Sequence, residues 1–267
     1  MTTTVGVIGA GRMGLPIIGH LARKGFETLV HDIDAGKRKA VEERGARWAI
    51  DNATLAAECD VVLVCVGYDD ELRRLFPQLA AKAKRSAIHA VLSTVNPKTV
   101  QQLAASAPQD VAVVDATMCR GGRAADEGTL LCFVGGEAAT VEQLRPVLGA
   151  FASDIVHTGP AGTAQVAKAA NNLILWACLV ADHEAMALAS RYGLDIEALR
   201  KALLMSSAMN DALAKWGTQT MAWADDDLAI VAEMAAEQGV RLPLSDAARE
   251  ICRTLRPRRY KLDQYGR

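Results

Sequence analysis

The first fourteen residues constrain the fold more than any other part of the chain. Thr4 to Ile8 is a short apolar run typical of a buried strand, and the loop Gly9-Ala10-Gly11-Arg12-Met13-Gly14 follows it directly. A helical pattern from Met13 to about Lys24 comes next, with Pro16 in its first turn, where the missing N–H costs little. A strand, a glycine-rich turn and a helix in this order predict a dinucleotide-binding unit.

The glycine loop has a defined chemical use in such a unit. Its glycines permit a tight turn, close approach of the backbone to a pyrophosphate, and packing of the helix on the strand. The N-terminus of the helix adds unpaired backbone N–H groups that attract phosphate. The residues that we expect to bind the cofactor here are Gly9, Gly11, Arg12, Met13 and Gly14.

The next strand, Glu27 to Asp32, bears on the choice of cofactor. Asp32 lies near the position at which an acid bonds the adenosine ribose, and a carboxylate there repels a 2′-phosphate. The sequence therefore favours NAD over NADP, although Lys37 and Arg38 keep NADP open. Asp32, or the nearby Asp34, could instead cap a helix that starts near residue 36.

Strands and helices go on alternating through the first half. Near-continuous Val and Ile runs separated by helical patterns predict a parallel sheet covered on both faces. The expected strands are Val61–Val66, Ala87–Leu92, Val111–Ala116, Leu130–Gly135 and Asp154–Thr158. Ligands of such sheets bind beyond the carboxyl ends of the strands. Ser93-Thr94 and a long loop from Asp115 to Leu130 should lie there.

That long loop carries candidate substrate-binding residues. The backbone of Gly121-Gly122 can come close to a bound anion. Arg120 or Arg123 could pair with a carboxylate in a forked geometry, or both could be solvated surface arginines.

A polar stripe marks the start of the next segment, Gly159 to about Ser190. From Ala164 the pattern predicts a long helix that is apolar nearly all round and therefore buried. Gln165, Lys168 and Asn172 are spaced three and then four residues apart, so they share a face. A buried Lys and Asn are costly without partners or a function. The alternative is that Lys168 extends its ammonium group to water.

The remaining sequence predicts helices and a basic tail, and composition excludes several classes of function. A net charge of −1 argues against general nucleic-acid binding. The six cysteines show no CxxC pair, which indicates reduced core residues and no metal site. No leader-like segment precedes the first strand, and the clean apolar run Leu173–Ala181 is too short to span a bilayer. We expect a cytoplasmic protein without a membrane partner.

These stretches together resemble the β-hydroxyacid dehydrogenase family, the group of 3-hydroxyisobutyrate dehydrogenase. Gly9, Gly11 and Gly14 match the cofactor loop of that family, and Asp115–Leu130 is similar to its substrate motif. Gly159–Asn172 looks like its catalytic motif. The resemblance implies that Lys168 is the catalytic acid/base and that Asn172 holds the substrate. It also implies that Ser93-Thr94 lies beside the nicotinamide.

The resemblance further implies a Rossmann-type doubly wound parallel sheet, a long connecting helix and a smaller all-helical C-terminal domain. The expected ranges are 1–158, 159–192 and 193–267. Such a chain would form a homodimer or homotetramer and transfer a hydride between a 3-hydroxy acid and NAD(P). Alternatives are an imine reductase of the same architecture, which Lys168 argues against, and a non-catalytic dinucleotide-binding or dimerisation module.

Four departures from the family pattern bear on the substrate. Cys119 stands where the family has a substrate-binding Ser, and Arg120 stands at the first Gly of its Gly-Gly pair. Ala164 replaces the third Gly of the catalytic motif. Asp226 stands where the family has a Lys near the cofactor and substrate. We expect Cys119, Arg120, Gly121 and Gly122 to bind the substrate, with Arg120 taking over its carboxylate.

Overall fold

The computed structural model describes residues 3–265, which divide into two compact units between Lys168 and Ala169. The first unit is built on one sheet, whose strands are β1 (Thr4–Ile8), β2 (Glu27–His31), β3 (Arg47–Trp48), β4 (Val61–Val64), β5 (Ile88–Val91), β6 (Ala112–Cys119), β7 (Leu130–Gly135) and β8 (Ala152–Gly159). Its helices are α1 (Gly14–Arg23), α2 (Arg38–Glu42), α3 (Asn52–Glu58), α4 (Asp69–Ala80), α5 (Pro97–Ser106), α6 (Gly121–Glu127) and α7 (Ala138–Leu148).

The sheet has the strand order β3-β2-β1-β4-β5-β6-β7-β8. All neighbouring strands are parallel except β6 and β7, which pair antiparallel. Each face of the sheet carries its own cluster of buried apolar side chains. The expected Rossmann-type sheet is thereby confirmed, with one antiparallel pair that the sequence pattern does not predict.

The expected long loop from Asp115 to Leu130 is wrong. The strand β6 continues to Cys119, and residues 121–127 form the helix α6. The extra strand residues pair with β7, with Asp115 opposite Gly135 and Cys119 opposite Leu131. Because Val91, the last residue of β5, is paired with Asp115, the rest of β6 projects beyond the carboxyl end of β5.

The helix α8 (Thr163–Arg191) begins in the first unit and continues into the second. The second unit adds α9 (Ile196–Leu203), α10 (Asp211–Ala214), α11 (Ala224–Glu237) and α12 (Pro243–Leu255). Trp176 and Leu179 of α8 pack there in a cluster with Leu228 and Cys252. Helices alone make up the described part of this unit, as expected.

The expectation that α8 is buried all round is wrong for a single chain. Ile174 is 61% exposed and Leu188 is 60% exposed. By length and apolar composition alone, α8 is also the one helix among residues 3–265 that could cross a membrane, and this test does not separate it from the long helix of a soluble protein.

Candidate active site

The glycine loop between β1 and α1 is shaped by close contacts. Gly9 has a φ of 98°, and a Cβ on it would overlap the carbonyl of Cys65. A Cβ on Gly14 would overlap the carbonyl of Gly9. Gly11, by contrast, has no heavy atom within 4 Å of the place where its Cβ would lie. Two glycines therefore permit the packing of strand on helix, and the third leaves open backbone that a phosphate can approach.

Asp32 is buried just beyond the end of β2 and is tied to the glycine loop. Its Oδ2 accepts hydrogen bonds from the backbone N–H of Ala10 at 2.7 Å and from the ammonium of Lys37 at 2.9 Å. Its Oδ1 accepts from the backbone N–H of Asp34 at 2.9 Å. Burial alone would raise the pKa of the Asp32 carboxyl, but these three donors outweigh it and lower the pKa below its ordinary value. Asp32 is therefore a stable carboxylate at neutral pH.

The two aspartates near this turn have different roles. Asp34 caps the short 3-10 turn at Ala35–Lys37, because its Oδ1 accepts from the backbone N–H of Gly36 at 3.0 Å. Asp32 makes no such cap and lines a cavity instead. The helix-capping alternative therefore applies to Asp34.

The cavity beside Asp32 has a volume of about 420 Å³. Gly9, Gly11, Asp32 and Lys37 line it, together with Asn52 from the start of α3. The Oδ1 atom of Asn52 is buried and has no hydrogen-bond partner. An open glycine, a carboxylate and an unsatisfied amide oxygen fit the phosphates, hydroxyl groups and amino group of a dinucleotide. Sequence reasoning missed Asn52 because no motif marks it.

The loop after β5 contains Ser93 and Thr94. The hydroxyl of Ser93 is engaged within the protein: it accepts from the backbone N–H of Val66 at 3.0 Å and donates to the carbonyl of Val66 at 2.9 Å. Thr94 is partly exposed. Ser93 thus joins the loops that follow β4 and β5, and Thr94 presents the accessible side chain.

Arg120 takes up a conformation usual for glycine. Its φ is 81° and its ψ is −2°, which is left-handed backbone. Its guanidinium donates to Asp154 Oδ2 at 2.6 Å, Ser153 Oγ at 2.9 Å and the carbonyl of Thr129 at 3.0 Å. Cys119, immediately before it, is buried. The side chain of Arg120 is therefore held by the edge strand β8.

Arg12 connects the glycine loop to α6. Its guanidinium forms a two-pronged ion pair with Asp126, at 2.8 and 2.6 Å. The same group lies against Gly122, where a Cβ would come within 2.6 Å of an Arg12 nitrogen. A side chain at position 122 would have to displace the Arg12 guanidinium, so Gly122 permits this contact between the expected cofactor loop and the expected substrate motif.

Asp115 fixes the start of α8 and is fully buried. Its Oδ1 accepts from the backbone N–H of Gly162 at 2.8 Å, and its Oδ2 accepts from that of Gln165 at 2.9 Å. Burial raises the pKa of the Asp115 carboxyl, and these two N–H groups oppose the rise. A carboxylate at a helix N-terminus also interacts favourably with the helix dipole. Sequence reasoning placed Asp115 in a motif but gave it no role.

Lys168 projects from the second turn of α8 toward β6. Its Nζ donates to the carbonyl of Met118 at 2.7 Å, directly before Cys119. Asn172 follows one turn later on the same helix and is 2% exposed. Its Oδ1 accepts from Asn171 Nδ2 at 3.1 Å, whereas its own Nδ2 is buried and has no partner. The helix therefore carries an ammonium group and an unsatisfied amide donor one turn apart.

Comparisons with known proteins identify the family of this chain. Residues 4–159 match the family described as the NAD binding domain of 6-phosphogluconate dehydrogenase. Residues 162–264 match the family described as the NAD-binding domain of NADP-dependent 3-hydroxyisobutyrate dehydrogenase. The NAD-dependent L-serine dehydrogenase of Pseudomonas aeruginosa is 30% identical over 213 residues, which cover 78% of this chain and 72% of that protein.

Two further relatives cover nearly the whole chain. The 2-(hydroxymethyl)glutarate dehydrogenase of Eubacterium barkeri is 28% identical over 262 residues, 92% of this chain and 87% of that protein. The solved structure of Mycobacterium tuberculosis 3-hydroxyisobutyrate dehydrogenase with L-serine is 25% identical and superposes with a TM-score of 0.88, covering 97% of this chain and 95% of that one. The chain is therefore a member of the β-hydroxyacid dehydrogenase family and an NAD(P)-dependent oxidoreductase.

Proposed function

We propose that the protein oxidises a 3-hydroxy acid with NAD, with Lys168 as the acid/base. The observation that carries the proposal is the placement of the Lys168 ammonium, 2.7 Å from the carbonyl of Met118, which belongs to β6 and to the expected substrate motif. The relatives support the substrate class, because their names specify hydroxy acids: L-serine, 2-(hydroxymethyl)glutarate and 3-hydroxyisobutyrate.

The residues of the chain divide the chemistry among them. As a neutral amine, Lys168 takes the proton of the substrate hydroxyl during oxidation, and the ammonium so formed returns it to the carbonyl oxygen in the reverse direction. Its positive charge stabilises the alkoxide that develops on that oxygen. The buried Nδ2 of Asn172, which has no protein partner, donates to the substrate and orients it. NAD, when bound, supplies the group that accepts the hydride.

Cofactor binding falls to the glycine loop and Asp32. The backbone at Gly9, Gly11, Arg12, Met13 and Gly14 would hold the phosphates, and Asp32 would accept from the ribose hydroxyl groups. The Asp32 carboxylate would repel a 2′-phosphate, which favours NAD, although Lys37 partly neutralises it at 2.9 Å. Ser93 and Thr94 would flank the nicotinamide, with Thr94 as the accessible side chain.

We propose that Cys119, Arg120, Gly121 and Gly122 form the carboxylate-binding side of the site. In this arrangement the backbone N–H groups of Gly121 and Gly122 bind the carboxylate. Arg120 contributes mainly through its left-handed backbone, since its guanidinium is paired with Asp154.

We also propose a cytoplasmic homodimer. The exposed apolar residues along α8, including Ile174 and Leu188, would be covered by a second copy of the chain. Residues 1–158 would form the dinucleotide-binding domain, residues 159–192 the connecting helix, and residues 193–267 the domain that supports assembly. Sedimentation of the purified protein tests the homodimer directly, since a monomer at micromolar concentration would contradict it.

The test of the function is turnover on a panel of 3-hydroxy acids with each cofactor, followed by NAD(P)H absorbance. Lys168→Met should lower turnover by about a thousandfold or more. It should leave the Kd for NADH, measured by fluorescence, almost unchanged. Lys82→Met, which removes an exposed lysine of the same unit, is the matched control. Near-normal turnover of Lys168→Met would refute the assignment, and NADH binding without turnover of any acid would favour a non-catalytic module.

A further inference from the structure

Gln165 lies one turn before Lys168 on α8 and is 1% exposed. Both ends of its side-chain amide are engaged with the loop that follows β5. Its Oε1 accepts from the backbone N–H of Val95 at 3.0 Å, and its Nε2 donates to the carbonyl of Ser93 at 2.9 Å. The amide thus pairs with two backbone groups that flank Thr94, as a neighbouring peptide group in a sheet would.

This pairing depends on the chemistry of an amide. The loop offers one donor and one acceptor, and a primary amide offers the complementary acceptor and donor. A carboxylate of the same length would keep the bond from Val95 but set its second oxygen against the carbonyl of Ser93. An apolar side chain would leave both backbone groups without partners, and Ser93 and Val95 are both buried.

The same residue is fixed from its other side by Asp115. The backbone N–H of Gln165 donates to Asp115 Oδ2 at 2.9 Å, and Asp115 belongs to β6. The hydroxyl of Ser93 is bonded in turn to the backbone of Val66, after β4. A continuous series of buried and half-buried hydrogen bonds therefore runs from the loop after β4, through the loop after β5, to the turn of α8 that precedes Lys168.

We propose that Gln165 is a positioning residue, which sets the distance between the loop Ser93–Val95 and the ammonium of Lys168. The inference rests on the proposed function, in which that loop flanks the nicotinamide and Lys168 handles the substrate proton. Gln165 itself touches neither reactant. It keeps the loop Ser93–Val95 and the ammonium of Lys168 at a fixed distance. That distance matters because hydride transfer is sensitive to small shifts of the reacting groups.

The test compares Gln165→Leu and Gln165→Glu with Thr117→Val. Thr117 is a matched control because it is also buried and its hydroxyl donates to the carbonyl of Ala164, in the same turn of α8, at 3.1 Å. The control removes one buried hydrogen bond to this turn and keeps both hydrogen bonds between Gln165 and the loop at 93–95. Three quantities are measured: amide hydrogen exchange of the loop without cofactor, the Kd for NADH, and the rate and deuterium isotope effect of hydride transfer in a single turnover.

In both Gln165 variants we expect a slower hydride step, by about 10- to 100-fold, and an isotope effect that depends more steeply on temperature. Exchange of the Val95 amide should rise by about tenfold or more in Gln165→Leu, which loses the acceptor, and stay slow in Thr117→Val. The Kd for NADH should change by less than about threefold, because Gln165 lies outside the dinucleotide cavity.

The proposal is wrong if the Gln165 variants slow hydride transfer no more than Thr117→Val does. It is also wrong if exchange of the Val95 amide is unchanged in Gln165→Leu. The exchange measurement requires neither substrate nor cofactor, so it separates this proposal from the proposed function. Turnover that survives Lys168→Met would refute the acid/base assignment. Hydrogen exchange of the Val95 amide would still show whether Gln165 orders the loop.

Discussion

Low pH should lower the free energy of unfolding of the first unit through His89. This residue lies in the middle of β5, fully buried, with its ring edge-on to Phe76 at a centroid distance of 5.9 Å. Neither ring nitrogen has a hydrogen-bond partner. Burial lowers the pKa of the imidazole from 6.5 to about 4, because nothing near the ring compensates for the lost solvation of the charged form.

The sign follows from proton binding in the two states. The unfolded chain takes up a proton on this ring near its ordinary pKa, and the folded protein does so only near 4. Between these values the unfolded state binds more protons, so stability falls as the pH falls through this window. The loss attributable to His89 is about 2 kcal/mol at about pH 5 and about 3 kcal/mol at the bottom of the window.

The assay is urea unfolding of the protein and of His89→Leu at about pH 7.5 and about pH 5. The free energy of unfolding of the unchanged protein should fall by about 2 kcal/mol more than that of His89→Leu. Other titrating groups, including the buried His183, are common to both proteins and cancel in this difference. Phe76→Leu is the control, since it loosens the same contact but keeps the imidazole and therefore the pH dependence. Equal pH dependence of the unchanged protein and His89→Leu would refute the reasoning.

Three further predictions concern the site. Asp32→Ala should raise the KM for NAD by about 10- to 100-fold and shift the cofactor preference toward NADP, because it removes a carboxylate expected to accept from the ribose. Initial rates with both cofactors test this, and an unchanged cofactor preference would contradict it. Asn52→Leu should raise the KM for NAD by about fivefold and leave kcat unchanged, since its unsatisfied Oδ1 lines the dinucleotide cavity; the same rate measurements decide, and an unchanged KM would exclude the contact. The free energy of unfolding in urea should be about 1 kcal/mol higher for Arg120→Gly than for Arg120→Ala. Both variants lose the ion pair with Asp154, but glycine alone adopts a φ of 81° without strain. Equal free energies would show that the backbone there relaxes.

Local backbone chemistry is the part of this fold that the sequence predicts well. The loop Gly9–Gly14 lies where its spacing requires: Gly9 and Gly14 permit close backbone contacts, and Gly11 leaves open backbone. Asp195, a residue type that favours N-caps, caps α9 by accepting from the backbone N–H of Ala198 at 2.8 Å. Elements that depend on distant partners were missed. Residues 47–48 form only a two-residue strand, and α6 opens with two glycines, which are poor helix formers.

The same distinction applies to the candidate site. The polar stripe on α8 is visible in the sequence because three polar residues interrupt an apolar helix. The partners of that stripe are not visible, since the N–H of Val95 lies 70 residues from Gln165 and Asp115 lies 50 residues from it. The spacing predicts which helical face is used, whereas the sheet determines which backbone groups that face meets.

Arg120 shows why a changed motif residue need not gain a new function. Its position falls on the first glycine of the family motif, and the side chain suggested a replacement for the cation lost at Asp226. The backbone nevertheless keeps the left-handed conformation that glycine would adopt there, with a φ of 81°. The next residue, Gly121, also has a positive φ of 76°, so the turn from β6 into α6 preserves its shape. The ion pair with Asp154 joins two solvent-exposed groups, so it contributes little to stability and does not outweigh the backbone strain. The turn therefore accounts for Arg120 without a substrate contact, and the backbone N–H groups of Gly121 and Gly122 remain the stronger candidates for holding the substrate carboxylate.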